Sequence, residues 1–189
     1  MLDFGYFIRV AALFQRFKSN KKLINLLSES VVHGRCWPND LDFNWHMNNA
    51  RYLREADFGR FSLLLETGLW NSIVKRRKNG MKDAHALISA FQIQYRQSIE
   101  LGDRFKFISR INAWDDKAFY VEQWMIREKT NEKVFSLLVR LAVTPRSLTP
   151  QMLVDDIQSK SIQSPPFSPS MQSFKDNYKI NFQEIPSKL

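Results

Sequence analysis

One cysteine, Cys36, and three widely spaced histidines, His33, His46 and His85, are the only thiol and imidazole groups in 189 residues. A single thiol excludes an internal disulfide framework and a multi-cysteine zinc site, and so sparse a set speaks against a dedicated metal centre. The same scarcity points to a reducing compartment and a cytoplasmic location. Long apolar runs are also missing, because Asp3 and Arg9 interrupt the most apolar stretch before it reaches the roughly 20 residues that span a bilayer. That stretch lacks the small-residue cleavage site of a secretory signal and is expected to be retained. Acidic residues are the third shortage, 19 against 28 lysines and arginines, which leaves a formal charge of +9. Such a balance suits an anionic partner or surface. With no basic-aromatic recognition motif in the chain, nucleic acid is set aside.

What is present describes a globular protein. Hydrophobic residues make up 44% and charged residues 25%, and the length allows one domain with some tens of residues to spare. In residues 2–22, Phe4, Phe7, Ile8, Ala11, Ala12 and Phe14 fall near helical spacing, with Arg16, Lys18, Lys21 and Lys22 behind them. The first 27 residues therefore read as a basic amphipathic helix, packed on its own domain or laid on a membrane as a peripheral contact. At the other end, residues 158–189 turn to Ser, Pro and Gln, with Ser164, Pro165, Pro166, Ser168 and Pro169 breaking any ladder or helix. Phe174, Tyr178, Ile180 and Phe182 remain as apolar groups that can dock this tail on the body.

Residues 28–157 form the domain. An extended segment at 29–37 runs into a loop at Pro38 and a helix over 48–66, where Tyr52, Leu53, Ala56, Gly59, Leu63 and Leu64 recur at helical spacing. Ala56 and Gly59 make one face small enough for close approach to another backbone. Gly68 stops that helix and a second covers 69–78. Four strands follow, marked by alternation through Phe91, Ile93 and Tyr95, then Phe105, Phe107, Ile111 and Ala113, then Phe119, Val121 and Met125, then Phe135 to Val143. Short turns between them predict a four-stranded antiparallel meander, and one long helix against one antiparallel sheet is an α+β architecture. The second faces of these strands carry Ile88, Ile108, Trp114, Tyr120, Trp124, Ile126 and Leu138, more apolar surface than water is normally offered. A homodimer or higher homo-oligomer, paired at an edge or across a face, is expected to cover it.

The segment Asp40-Leu41-Asp42-Phe43-Asn44-Trp45-His46-Met47-Asn48-Asn49 packs two carboxylates, an imidazole and three carboxamides just ahead of the long helix. Asn48 or Asn49 serves as its N-cap. A helix start also directs unpaired amides and a partial positive charge outward, enough to polarise a carbonyl and hold it as an oxyanion.

This spacing resembles the hotdog-fold thioesterases, in which an aspartate-bearing loop precedes a long helix wrapped by a curved antiparallel sheet. Asp-Leu-Asp-x-Asn-x-His-x-Asn-Asn is similar to the plant acyl-carrier-protein thioesterases, and the interval from Asp42 to Tyr52 is similar to the 4-hydroxybenzoyl-CoA thioesterase group. The narrower resemblance is to the member-six branch of the thioesterase superfamily, through His46-Met47-Asn48-Asn49-Ala50-Arg51-Tyr52-Leu53-Arg54-Glu55-Ala56-Asp57-Phe58 and Trp114-Asp115-Asp116-Lys117-Ala118-Phe119-Tyr120. It covers about residues 30–145.

The resemblance implies hydrolysis of an acyl-CoA or acyl-carrier thioester at a dimer-interface site, without cofactor or metal. Asp42 falls on the hotdog nucleophile or general base, Asn44 and His46 on the asparagine and histidine of the plant enzymes, and Asn49 on the amide that polarises the thioester carbonyl. A further catalytic residue of the plant enzymes sits in a second hotdog repeat that this chain lacks. By residue chemistry, an imidazole is better matched than a carboxylate to taking a proton from water, so Asp42 attacks the thioester, activates water, or holds His46 as the base. Asn48, Tyr52, Arg51 and Arg54 are candidate substrate contacts. The basic groups Lys75, Arg76, Arg77 and Lys78 are further candidates for the phosphates of coenzyme A or for an acidic carrier. Glu55 and Asp57 read as solvated or salt-bridged, Asp40 as a turn residue, His33 and His85 as structural, and Cys36 as a small buried group. The alternative is a non-catalytic, membrane-associated acyl- or lipid-binding protein with the same groove.

Overall fold

A computed structural model describes residues 4–20, 23–158 and 161–183. Its elements run α1 (Phe4–Asn20), β1 (Ser30–Arg35), a 3₁₀ turn (Pro38–Asp40), α2 (Asn49–Glu66), α3 (Leu69–Lys78), β2 (His85–Tyr95), β3 (Arg104–Trp114), β4 (Ala118–Arg127), β5 (Glu132–Thr144), α4 (Pro150–Asp155) and α5 (Pro169–Gln183). The strands form one antiparallel sheet in the order β1-β3-β4-β5-β2. This sheet wraps α2, the hotdog arrangement that the resemblance implied.

Small residues set how closely helix and sheet approach. A Cβ added at Gly59 would lie 2.6 Å from Ser109 Oγ and 3.0 Å from Phe107 Cδ1, so only glycine lets α2 sit this low on the sheet. Gln123, buried on β4, donates to the Ala56 carbonyl at 2.9 Å and to Ser109 Oγ at 2.8 Å, and accepts from Arg60 at 2.6 Å. These bonds satisfy a polar layer inside an otherwise apolar core of Phe105, Phe107, Phe119, Phe135, Leu63 and Tyr52.

The expected meander holds only for β3, β4 and β5. Although β2 is followed within eight residues by β3, it pairs with β5 at the far edge, and β1 takes the place beside β3. The connection at 96–103 is long enough, since eight extended residues reach about 26 Å and three inter-strand spacings need only about 14 Å. Its register is held by Arg96 and Gln97, whose amides both donate to the Val134 carbonyl. A short connection therefore crossed the sheet here.

Both chain ends dock. The expectation that prolines break residues 158–189 is corrected, because Pro169 occupies the first turn of α5, where its missing N–H costs nothing. Helix α5 lays Met171 and Phe174 on Ala118 and Tyr120, with Phe167 edge-on to Tyr120 at 4.9 Å. Lys175 bonds Asp115 at 3.0 Å and Arg140 stacks over Tyr178. The chain itself thus covers much of the sheet's second face, which had been the reason to expect pairing across a face. The side chains of Ile180 and Phe182, and residues 21 and 22, lie outside what is described. Helix α1 packs on α2 through Tyr6 against Phe58, Phe14 against Phe61, and Arg9 bonded twice to Glu55 at 2.5 and 2.8 Å, and on α3 through Phe14 against Trp70. Among the described residues no helix is long and apolar enough to cross a membrane.

Candidate active site

The loop ahead of α2 is a closed hairpin. Leu41 and Met47 pair across it, the Asp42 amide donates to the His46 carbonyl at 2.9 Å, and the Trp45 amide donates to the Asp42 carbonyl at 3.1 Å. Segment 96–103 clamps it from outside: the Met47 amide donates to the Ile99 carbonyl at 2.8 Å, and His46 pairs with Glu100. Trp45 closes the turn at φ 61°, a left-handed backbone that costs a non-glycine residue about 1 kcal/mol. Its side chain is 75% exposed and that of Phe43 is 90% exposed.

The base of the loop is anchored by Asp40. Buried to 3% exposure, it accepts from the Trp37 amide at 3.0 Å and from Arg54 at 2.5 Å, while its own carbonyl accepts the Asn48 amide at 2.8 Å. The turn role read for Asp40 is thus joined by a buried ion pair. Asp42 lies beyond this anchor, half-buried, with Oδ1 accepting the Asn44 amide at 2.9 Å; among the described residues no donor reaches its Oδ2.

Asn48 is the N-cap of α2, its Oδ1 accepting the Ala50 amide at 2.9 Å. Asn49 begins the helix, and among the described residues nothing accepts its N–H. The Asn49 carbonyl accepts the Tyr95 hydroxyl at 3.2 Å, which ties the helix start to the edge strand. The structure therefore brings Asp42, Asn44, His46 and Asn49 onto one loop and the helix start it feeds, with Asn44 and Asn49 exposed and His46 half-buried. Ile99 and Glu100 were not singled out from sequence, and Tyr95 was read only as a position in the strand alternation.

Other candidate contacts are spent internally. Tyr52, expected to touch substrate, is buried with its hydroxyl accepting the Ile99 amide at 3.0 Å, and burial pushes its pKa up to about 12. Arg54 is held by Asp40, whereas Arg51 approaches Asp40 only to 3.9 Å and is more exposed. The basic run on α3 is similarly divided. Arg76 binds Asp156 at 2.8 Å, and Arg77 donates to the Ala84 carbonyl and meets His85, so these two serve the fold rather than a phosphate. Glu55 is buried on Arg9, Asp57 pairs with Arg60, and burial pushes the Cys36 thiol up to about 11, the inert state expected of it.

A profile of the thioesterase-like superfamily matches residues 36–174. The chain belongs to the thioesterase-like superfamily. The match runs from just ahead of the Asp42 loop into α5, further than the motifs that carried the resemblance. Among relatives of this thioesterase-like protein, protein THEM6 of Xenopus laevis is 35% identical over 167 residues, covering 88% of this chain and 77% of the relative. Protein THEM6 of Danio rerio is also 35% identical, over 90% of this chain and 80% of its own length. The probable thioesterase YbaW of Escherichia coli superposes with a TM-score of 0.51 at 22% identity, over 60% of this chain and 80% of that one. A Streptococcus mutans protein bound to acetyl CoA superposes with a TM-score of 0.51 at 14% identity, over 65% and 86% of the two chains. These two superpositions show the shared fold.

Proposed function

We propose that this thioesterase-like protein hydrolyses acyl-CoA thioesters at the start of α2. The observation that carries the reading is an Asn49 amide with no acceptor among the described residues at the head of α2, and a half-buried Asp42 on the loop that leads into it and is anchored by Asp40. The Asn49 N–H and the positive end of α2 receive the thioester oxygen as it becomes an oxyanion. Asp42 then acts in one of two ways. It attacks the carbonyl carbon, expelling the CoA thiolate and leaving a mixed anhydride that water cleaves, or it takes a proton from water, whose oxygen attacks as the C–S bond breaks. Asn44, whose amide fixes Asp42 Oδ1, positions the carboxylate.

Support for a homodimer comes from β2, an edge strand that exposes Leu87, Ile88, Phe91 and Tyr95. An uncovered apolar edge of this kind is a ready template for a second copy. The aromatic side chains of Phe43 and Trp45, far out in solvent on one chain, suit burial in the same assembly.

Purified protein incubated with acyl-CoAs should release titratable thiol, and Asp42→Asn should slow that release about a hundredfold without lowering the melting temperature. The reading fails if Asp42→Asn and His46→Ala both keep wild-type rates. Tight acyl-CoA binding with no thiol released at any chain length would instead identify a binder; the exposed Phe7 and Ile8 on α1 would then favour one held at a membrane surface.

A further inference from the structure

A line of charges runs from the N-terminal helix to the loop that carries Asp42. Arg9 of α1 grips both oxygens of Glu55 on α2, at 2.5 and 2.8 Å, with its guanidinium 3.9 Å from the centre of the Phe58 ring. Glu55 Oε1 lies 3.8 Å from a terminal nitrogen of Arg54, and that same nitrogen bonds Asp40 Oδ1 at 2.5 Å. Asp40 in turn holds the chain on both sides of the loop, the Trp37 amide through its carboxylate and the Asn48 amide through its carbonyl. Glu55 and Asp40 are both buried, Arg54 is largely shielded, and Arg9 is the most open of the four to water.

Arg54 therefore stands between two buried carboxylates and serves the loop only while the other one is satisfied. A carboxylate shut away from water demands a cation. The two-pronged grip of Arg9 meets that demand at Glu55 and leaves Arg54 to Asp40. Without the Arg9 charge, Glu55 competes for the shared nitrogen, and a shift of about 1 Å toward it breaks the Asp40 bond. The loop then loses the anchor at its base, although the packing of α1 through Tyr6 and Phe14 is untouched. Residue 9 lies outside the stretch 36–174 that the superfamily profile matches, so α1 adds this support to the matched domain.

We infer that Arg9 is a positioning residue for thioester hydrolysis: through Glu55 and Arg54 it keeps Asp40, and with it the Asp42 loop, in the working geometry. The N-terminal helix is thereby coupled to the reaction through charge. The effect on rate rests on the hydrolase reading, whereas the coupling of α1 to the loop stands on the four charges alone.

The test replaces Arg9 in the full chain and reads acyl-CoA hydrolysis beside hydrogen exchange of the Asp42, Trp45 and Met47 amides, each of which is bonded within or across the loop. Arg9→Met keeps an unbranched apolar stem over Phe58 and removes the charge. Its kcat should fall about tenfold with KM within about twofold of wild type, and exchange of the three amides should quicken about tenfold. Arg9→Lys restores a cation and should recover most of the rate. Adding Glu55→Gln to Arg9→Met should return kcat and exchange to within about threefold of wild type, because the competing charge is gone. A helix that acts by packing alone would give the Met and Lys variants the same rate and would gain nothing from Glu55→Gln; either result overturns the proposal. If Arg9→Met does not fold, Arg9→Gln is set against Arg9→Lys, and equal rates with equal exchange overturn it. Should wild type release no thiol from any acyl-CoA, the hydrolase reading fails and the exchange rates alone decide the coupling, with unchanged exchange in the Arg9 variants overturning it.

Discussion

Asp40 and Asp42 lie two residues apart on one loop and live in opposite environments. Asp40 is turned inward, bonded to the Trp37 amide and to Arg54, and its charge is compensated where water cannot reach it. Asp42 is turned to the rim, with one oxygen holding the Asn44 amide. The first carboxylate builds the loop and the second is available to act. The catalytic role proposed for the outer carboxylate needs a rigid base, and the inner carboxylate supplies it.

The comparison breaks most readily at its inner member. Asp40→Ala removes the acceptor of both the Trp37 amide and the Arg54 guanidinium at the base of the loop and should cost about 3 kcal/mol of stability, read from the denaturant midpoint. Adding Arg54→Ala should cost less in that background than in the wild type, because the two side chains share a bond that Asp40→Ala has already removed. Asp42→Asn should do the reverse: about a hundredfold loss of thioester hydrolysis, equivalent to about 2.7 kcal/mol in the barrier, with the midpoint unchanged. Equal effects of the two substitutions on stability would erase the distinction.

Trp45→Gly sharpens the contrast, since glycine relieves the left-handed backbone and should stabilise the isolated chain by about 1 kcal/mol while lowering hydrolysis. A gain in midpoint together with an unchanged rate would show that the turn conformation has no part in activity. The smallest effect is expected at Asp115, a structural carboxylate in the turn between β3 and β4. Burial alone would raise it, but bonds from the Lys117 amide, Lys175 and Tyr120 outweigh burial and hold it below the ordinary aspartate value. Its stabilisation is therefore present above the unfolded aspartate value and fades as pH falls through the lower folded one. Acid should loosen α5 first, seen as faster amide exchange in residues 169–178, and Asp115→Asn should remove that dependence.

Much of the architecture was legible because it rests on local pattern. Alternation marked the strands, Ala56 and Gly59 marked the face of close approach, and the residue types of the Asp42 loop stood out beside a helix start. The order of β2 escaped because turn residues at 101–103 report a reversal, whereas the pairing partner is chosen by burial across the whole sheet. The place of α5 escaped because proline density reads as interruption when one proline was in fact opening a helix.

Local chemistry in the chain determined that an acid-, imidazole- and carboxamide-rich loop would feed a long helix, since capping and periodicity act between near neighbours. Only the tertiary structure decided which acid is spent and which is free, that Tyr52 is an internal strut, and that the sheet's outer face belongs to the chain's own end. Those outcomes depend on groups distant in sequence, such as Arg54, Ile99 and Phe174, reaching the same few ångströms, and the packing of the whole core selects among such meetings.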